Sequence, residues 1–243
     1  KMRFDDQTDR STRIKIMTDG ILLQELKLDP FLSSYGTIMV DEAHERSLNI
    51  DFVLGLLKRI GRERSDFRVI VSSATINAEV FSEYFDECPI VRIDAETYPI
   101  KTRYRPLSEK NTDDELIDHV VKLVEEIAAE EDEGDVLVFL TGQFQIKSCI
   151  TLLSRSRVSS RLHLIPLYGR LTKEQQDRAF DPPPEGKRKV VVATNIAETS
   201  ITIDGIRYVI DSGLAKVNYY NPKTFTASLV ETPISRASCN QRR

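Results

Sequence analysis

Two adjacent carboxylates, Asp41 and Glu42, follow a short apolar run at residues 37–40. Such a run is typical of a buried parallel strand, and open α/β folds bind their ligands at the carboxyl ends of these strands. Because neighbouring side chains of an extended chain point in opposite directions, one carboxylate can hold a metal ion while the other faces a reacting water. The alternative is a strand that ends in a solvated acidic turn, and the two residues alone do not separate these interpretations.

Short polar clusters follow other apolar runs of the chain. They are residues 18–20 (Thr-Asp-Gly), 73–75 (Ser-Ala-Thr), 141–142 (Thr-Gly) and 194–195 (Thr-Asn). A single cluster of this kind is usually an ordinary turn. Because several recur, and because parallel strands place their carboxyl ends on one edge of a sheet, they predict a ligand cleft between two domains.

The elements that must position these clusters alternate in type. Strand-like apolar runs are separated by helix-like stretches over residues 13–93 and again over residues 100–212. This alternation predicts an α/β protein with two parallel-sheet domains in tandem, residues 1–94 and residues 95–243.

Several individual elements follow from the local pattern. β-branched and aromatic residues around Asn221-Pro222-Lys223 predict an antiparallel hairpin over residues 214–232 that projects from the second sheet. Other predicted elements are strands at 13–17 and 90–93, a helix at 47–60 that ends at Gly61, and a helix at 172–180.

Composition narrows the class of protein. With 40% hydrophobic and 30% charged residues, the 243-residue chain has the composition of a globular protein, and no apolar run approaches the ~20 residues of a membrane span. Cys88, Cys149 and Cys239 are distant from one another and odd in number, which favours a reducing intracellular compartment, cytoplasmic or nuclear. A net charge of −4 argues against a generally basic surface, but a local basic groove for nucleic acid stays possible.

Residues 41–44, Asp-Glu-Ala-His, resemble the DEAH box of superfamily 2 helicases, whose acid holds Mg²⁺ on the nucleotide phosphates. Other stretches resemble further helicase motifs in the same order: 18–20 (motif Ib), 73–75 (motif III), 139–142 (motif IV), 193–203 (motif V) and 241–243 (the start of motif VI). By order and spacing, the whole chain resembles the DEAH-box (DEAH/RHA) RNA helicase family. The resemblance implies two RecA-like domains, the first incomplete, with ATP or another NTP and Mg²⁺ as cofactors.

The chain departs from the family pattern in two places. The phosphate loop of the form G-x-x-x-x-G-K-[ST] is absent, since Gly186-Lys187 lacks the upstream glycine and the following Ser or Thr. Motif VI stops before the arginines that act as fingers on the γ-phosphate. We interpret the sequence as part of a longer helicase, the alternative being a degenerate paralogue. Because an arginine finger alone is worth ~10³–10⁵ in rate, the isolated chain is expected to be nearly inactive as an NTPase.

The resemblance implies roles for the first-domain residues near the nucleotide. Asp41 and Glu42 are the carboxylates at the Mg²⁺ site, and Glu42 also orients or deprotonates the attacking water. His44 relays the nucleotide state or is a structural histidine. Ser73 and Thr75 bond to the acidic motif, or cap the helix that follows.

In the second domain, the resemblance implies a further set of nucleotide contacts. Ser200, Thr202 and Asp204 reach the γ-phosphate and its water, and Gln241 helps to position that water. Phe180 stacks on the adenine, the alternative being an ordinary core phenylalanine.

The expected substrate is single-stranded RNA, or an RNA duplex with a single-stranded tail, contacted mainly through its backbone. The residues implied in RNA binding are Thr18, Asp19, Gly20, Thr141, Gly142, Thr194 and Asn195, with Arg170 and Arg178 as possible salt-dependent contributors or ordinary surface arginines. The 214–232 hairpin resembles the family element at the duplex junction, the alternative being a plain extension of the sheet. The resemblance also implies translocation in the 3′-to-5′ direction and activator proteins that act through flanking domains.

Two other functions stay open at the level of sequence. One is a module that binds RNA or a partner without hydrolysing nucleotide, because the phosphate loop is missing. The other is a related DNA translocase. The wording of motif V favours the RNA family, and comparison of turnover with RNA and with DNA separates the two.

Overall fold

The computed structural model describes residues 8–9, 11–73, 78–93, 99–107, 112–129, 133–198 and 202–242, except for the side chain of Glu45. The chain divides into two compact units, Lys1–Thr97 and Tyr98–Arg243, close to the division predicted after residue 94. No helix in the described part of the chain is long and apolar enough to cross a membrane.

Unit 1 has a two-stranded parallel sheet with helices packed against it. Its elements are α1 (Asp19–Leu28), β1 (Thr37–Val40), α2 (Leu48–Glu63), β2 (Arg68–Val71) and α3 (Ala78–Tyr84). β1 and β2 run in register from the pair Thr37–Arg68 to the pair Val40–Val71. α2 begins where Ser47 Oγ accepts a hydrogen bond from the Ile50 N–H at 3.2 Å. Its apolar face packs against α1 and β2, because Val53, Leu54, Leu57 and Ile60 recur at helical spacing.

Two strands predicted in this unit are wrong. Residues 13–17 and 90–93 contain β-branched residues, but they belong to no sheet among the described residues. The side chains of Ile14 and Ile16 in the first segment, and of Val91 and Ile93 in the second, are exposed, so neither segment gains the cross-strand packing that stabilises a strand. The predicted end of α2 at Gly61 is also wrong, because an exposed glycine late in a helix costs only ~1 kcal/mol and the helix continues to Glu63.

Unit 2 is built on a four-stranded parallel sheet with the order β4-β5-β3-β6. Its elements are α4 (Asp113–Ala129), β3 (Asp135–Phe139), α5 (Gln143–Ser154), β4 (Leu162–Leu167), α6 (Lys173–Asp177), β5 (Arg188–Ala193), β6 (Ile206–Asp211), β7 (Leu214–Asn221), β8 (Thr226–Pro233) and α7 (Arg236–Arg242). β3 is buried along its whole length, which is why its sequence is nearly continuous in apolar residues. The predicted α/β class with parallel sheets is confirmed.

The hairpin predicted around Asn221-Pro222-Lys223 is confirmed. β7 and β8 are antiparallel, and their register runs from the pair of Leu214 with Pro233 at the base to the pair of Asn221 with Thr226 at the tip. α6 is shorter than the predicted helix at 172–180, and Phe180 lies in the turn that follows it. The segment turns there because Asp181 precedes three prolines, which cannot continue a helix.

Candidate functional site

The acidic pair lies where the two parallel strands of unit 1 end. Asp41 Oδ1 accepts hydrogen bonds from Ser72 Oγ at 2.7 Å and from the Glu42 N–H at 3.0 Å. Ser72 follows β2 as Asp41 follows β1, so the strand register brings the two side chains together. The sequence interpretation assigned this contact to Ser73 and Thr75. The described donor is Ser72, Ser73 is partly buried beside it, and Thr75 is outside the described residues.

The backbone turns sharply after Asp41. Glu42 has φ 53° and ψ 34°, and Arg46 has φ 48° and ψ 38°. Both lie in the left-handed region, which is unfavourable for residues other than glycine. Ala43 holds the turn in place, because it is fully buried and its N–H donates to the Ser72 carbonyl at 3.0 Å. Strained residues of this kind persist where their surroundings fix them, and they concentrate at functional sites.

Glu42 and His44 form a contact within this turn. Glu42 Oε2 lies 3.2 Å from His44 Nε2, and the His44 side chain is 7% exposed. The same oxygen is buried and receives no hydrogen bond from any described residue. The contact with the imidazole therefore leaves Glu42 Oε2 as an acceptor that no described residue uses.

The residues of this turn fit the hydrated Mg²⁺ that the resemblance implies. Asp41 is exposed and oriented by Ser72, and Glu42 has an unsatisfied carboxylate oxygen. The described residues contain no group of three or more His, Cys, Asp or Glu side chains placed to hold a metal ion. One or two carboxylates are the protein contribution that Mg²⁺ requires when phosphates and waters supply its other ligands.

Residues 18–20 begin α1 instead of ending a strand, which corrects the predicted position of this cluster. The Thr18 carbonyl accepts the N–H groups of Ile21 and Leu22, while the Thr18 hydroxyl makes no capping hydrogen bond. Asp19 Oδ1 accepts the Gly20 N–H at 2.6 Å. Thr18 is exposed and Asp19 and Gly20 are half-buried, so the predicted backbone contact with RNA stays open to them.

The segment that leads to Thr18 is tied to unit 1 by a polar cluster. The Lys15 ammonium donates to Glu25 and, at 2.9 Å, to the Tyr35 hydroxyl, which itself donates to Glu25. The hydrogen bond to Glu25 raises the pKa of Lys15, and burial raises the pKa of Tyr35. Through Lys15, this cluster ties the segment before Thr18 to α1 and to Tyr35 without strand pairing.

The unit 2 clusters lie at one edge of its sheet, as predicted. Phe139 and Ala193 are partners in neighbouring strands, and Thr141 and Thr194 follow them. Asn195 is exposed and Gly142 half-buried, but Thr141 is only 4% exposed. Its hydroxyl lies 2.5 Å from Glu231 Oε2 and 3.0 Å from Gln145 Oε1. The Thr141 hydroxyl is therefore engaged within the protein, and the contact of Thr141 with RNA stays a prediction.

Thr202 and Gln241 line a cavity of about 250 Å³ together with Glu198 and Arg242. Asp204 is exposed outside this cavity. Ser200, which was predicted to join them, is outside the described residues.

Three further candidates lie on the surface of unit 2. Phe180 is 46% exposed, so it is not the core residue of the alternative interpretation, and its stacking on adenine stays a prediction. Arg170 and Arg178 are exposed. Exposure fits both an RNA contact and an ordinary surface arginine, so it does not separate the two interpretations.

Arg242 is a residue whose role sequence reasoning missed. Its side chain is 2% exposed, with Nε donating to Glu198 Oε2 and Nη1 to Asp211 Oδ1, each at 2.8 Å. Its guanidinium also lies over the Phe139 ring, 4.6 Å from the centroid. Arg242, next to Gln241, therefore joins the segment after β5 and the end of β6 to the end of β3. The only signal in the sequence was its position beside that glutamine.

Comparison with known proteins identifies the class and then the family. The model of the helicase conserved C-terminal domain matches residues 115–242, about half of the chain, so the protein is a helicase by class. The chain is 50% identical over its whole length to the ATP-dependent RNA helicase HrpA of Borreliella burgdorferi and 42% identical to HrpA of Escherichia coli. It is 47% identical, over 99% of its length, to the pre-mRNA-splicing factor ATP-dependent RNA helicase prp22 of Schizosaccharomyces pombe.

A solved structure agrees with these sequence relatives. The crystal structure of the Escherichia coli DEAH/RHA helicase HrpB superposes on the whole chain with a TM-score of 0.87 at 35% identity. The chain belongs to the DEAH-box family of ATP-dependent RNA helicases. It spans 29% of the Borreliella HrpA, 21% of prp22, 18% of the Escherichia coli HrpA and 30% of the HrpB structure.

Proposed function

We propose that the intact protein containing this chain couples Mg²⁺-dependent NTP hydrolysis to 3′-to-5′ translocation on RNA, and thereby remodels RNA duplexes or RNA–protein complexes. The observation behind this proposal is the strand-end turn of unit 1. There Ser72 orients Asp41, and Glu42 has a buried acceptor that no described residue satisfies. Single-stranded RNA, or a duplex with a single-stranded tail, is the proposed substrate, in an intracellular compartment.

The residues of the turn have distinct proposed tasks. Asp41, held by Ser72, would bind Mg²⁺, which when bound neutralises charge on the β- and γ-phosphates. Glu42 accepts a proton from the attacking water or orients it, and its side chain, which is 34% exposed, can be reached by that water although Oε2 lies against His44. His44 lies beside the same carboxylate and so limits the positions that the Glu42 side chain can adopt.

Thr202 and Gln241 are the unit 2 residues that we propose for the phosphates and the attacking water, because they line one cavity. Asp204, Ser200 and Phe180 stay in the same proposal as further nucleotide contacts. The proposed contacts with the RNA backbone are residues 18–20, Thr141, Gly142, Thr194 and Asn195, where hydroxyl and N–H groups give affinity without reading the base sequence.

The proposal is tested by nucleotide turnover of the intact protein with no nucleic acid, with single-stranded RNA and with single-stranded DNA. We expect RNA to stimulate turnover severalfold more than DNA. Duplexes with a 3′ tail should unwind and those with a 5′ tail should not. Equal stimulation by DNA would support the DNA translocase instead, and unwinding from a 5′ tail would contradict the direction.

For the 243-residue chain alone, we propose RNA binding with almost no hydrolysis. This follows from the missing phosphate-loop sequence, since the loop and its lysine supply much of the electrostatic stabilisation of phosphoryl transfer. RNA-stimulated turnover by the isolated chain, abolished by Glu42→Gln, would contradict this proposal. Activator proteins that bind flanking domains are the proposed source of specificity in the intact protein.

A further inference from the structure

The base of the β7–β8 hairpin is bonded to the turn between β3 and α5. Glu231 of β8 and Thr141 of the turn are 90 residues apart in sequence, yet Thr141 Oγ1 lies 2.5 Å from Glu231 Oε2. A hydroxyl has one proton to donate, and a carboxylate is the stronger acceptor of the two oxygens within reach. The Thr141 proton is therefore directed to Glu231.

Gln145 fixes the turn from its other side. Gln145 Oε1 accepts the Thr141 backbone N–H at 3.1 Å, and Gln145 Nε2 donates to Asp113 Oδ1 at 2.8 Å. Both Thr141 and Gln145 are 4% exposed. A hydrogen-bonded series thus runs from the hairpin through the turn and α5 to the start of α4, and each member limits the movement of the next.

The cross-strand partner of Glu231 shows that this contact is selective. Lys216 lies directly opposite Glu231 in the hairpin, but among the described residues it has no ion pair or hydrogen bond. Its ammonium instead lies over Gly142, where an added Cβ would be 3.2 Å from Nζ. The Glu231 carboxylate bonds to a buried hydroxyl and makes no ion pair with the lysine opposite it, so the bond to Thr141 determines its orientation.

We infer that Glu231 is a positioning residue whose bond to Thr141 locks the hairpin to the β3–α5 turn, so that the two move as one body. This inference rests on the proposed function, in which the turn contacts the RNA backbone through Gly142, and on the position at the duplex junction that the family resemblance implies for the hairpin. A displacement of the turn by RNA would then be transmitted to the hairpin.

Hydrogen exchange of the chain itself tests the lock, whether or not the helicase proposal is correct. In Glu231→Ala we expect the backbone amides of residues 216–218 and 229–231 to exchange roughly tenfold or more faster, since a hydrogen bond to a charged group is lost. Thr141→Val should give the same increase and Thr141→Ser should not. The double variant Glu231→Ala/Thr141→Val should exchange no faster than either single variant.

Lys216→Ala is the matched control, because it changes the same cross-strand pair and leaves the bond to Thr141 intact. Its hairpin amides should exchange as in the parent chain outside the substituted residue. Unchanged exchange in Glu231→Ala, or equal acceleration in Lys216→Ala, would overturn the inference. Glu231 is exposed, so its replacement does not threaten folding and the outcome is decisive even if Thr141→Val fails to fold.

In the intact protein, loss of the lock should reduce duplex unwinding more than RNA affinity or NTP turnover. Glu231→Ala should slow duplex unwinding severalfold while affinity for single-stranded RNA and RNA-stimulated NTP turnover change less than twofold. An equal loss of all three activities would contradict positioning. If no variant or parent protein unwinds RNA, the proposed function fails while the exchange result still decides whether the lock exists.

Discussion

Replacing Arg242 with methionine should destabilise unit 2 severely. The guanidinium donates to Glu198 and Asp211 at 2.8 Å each, and the side chains of Arg242, Glu198 and Asp211 are 2%, 10% and 22% exposed. Methionine matches the length of the arginine stem and keeps contact with Phe139, so the substitution removes mainly the charge and its hydrogen bonds. Two carboxylates then remain without their cation in a mostly buried place.

The expected magnitude follows from these contacts. Removing one partner of a buried ion pair costs about 3–5 kcal/mol, because the remaining charge is desolvated and unpaired. Asp211 retains a hydrogen bond from the Gly213 N–H at 2.9 Å and is the more exposed carboxylate, which favours the lower part of that range. With a urea dependence of ~2 kcal/mol/M for a small domain, the unfolding midpoint should fall by about 1.5–2 M.

Thiol labelling gives an assay that reports on unit 2 alone. Cys149 is fully buried in the core of this unit, so pulsed alkylation of its thiol at increasing urea follows the opening of that core. Arg157→Met is the control, since Arg157 is exposed and no described contact involves it; its midpoint should not move. The double variant Arg242→Met/Glu198→Gln should recover part of the fall in the unfolding midpoint. A shift below about 0.3 M for Arg242→Met would refute the reasoning from the buried ion pair.

Three further predictions concern single groups. Burial raises the pKa of the Cys149 thiol to about 12, so in native buffer at neutral pH a thiol reagent should label it only after unfolding, as mass spectrometry of the alkylated chain can check. The pKa of Lys15 is raised above its ordinary value of 10.5 by its hydrogen bond to Glu25, so the stability it contributes is complete below pH 10.5 and lost as pH rises through the folded-state pKa. Urea unfolding between pH 9 and 12 should show this loss in the parent chain and a flatter profile in Lys15→Met; equal profiles would contradict it. Ser72→Ala should raise the Mg²⁺ concentration for half-maximal NTP turnover in the intact protein by ~10–100-fold with unchanged RNA affinity, because Asp41 loses the donor that orients it.

Much of the fold was predictable because its signals are local. β3 and β5 are short apolar runs bounded by polar turns, and α2 repeats its apolar residues at helical spacing. The hairpin followed from β-branched strands around Asn221-Pro222-Lys223. The strand at 13–17 was wrong because a strand needs a neighbour, and pairing is not a property of the segment itself.

The candidate site was predictable in its residue types but not in its contacts. The acidic pair and the strand-end clusters are visible in the sequence. Arg242 contacts carboxylates 44 and 31 residues away, and Thr141 meets Glu231 across 90 residues, so these bonds exist only once the chain has folded. Ser72 was within reach of sequence reasoning, because the register of two parallel strands places it opposite Asp41.

The central claim, that Glu42 activates the water for NTP hydrolysis, is tested most directly by the RNA-stimulated turnover of the intact protein with Glu42→Gln. Glutamine preserves the shape of the side chain but cannot accept a proton, so turnover should fall by at least ~10²-fold while nucleotide and RNA still bind. Glu63→Gln, an exposed substitution at the end of α2, is the matched control and should leave turnover unchanged. Turnover within a few-fold of the parent protein in Glu42→Gln would contradict the account.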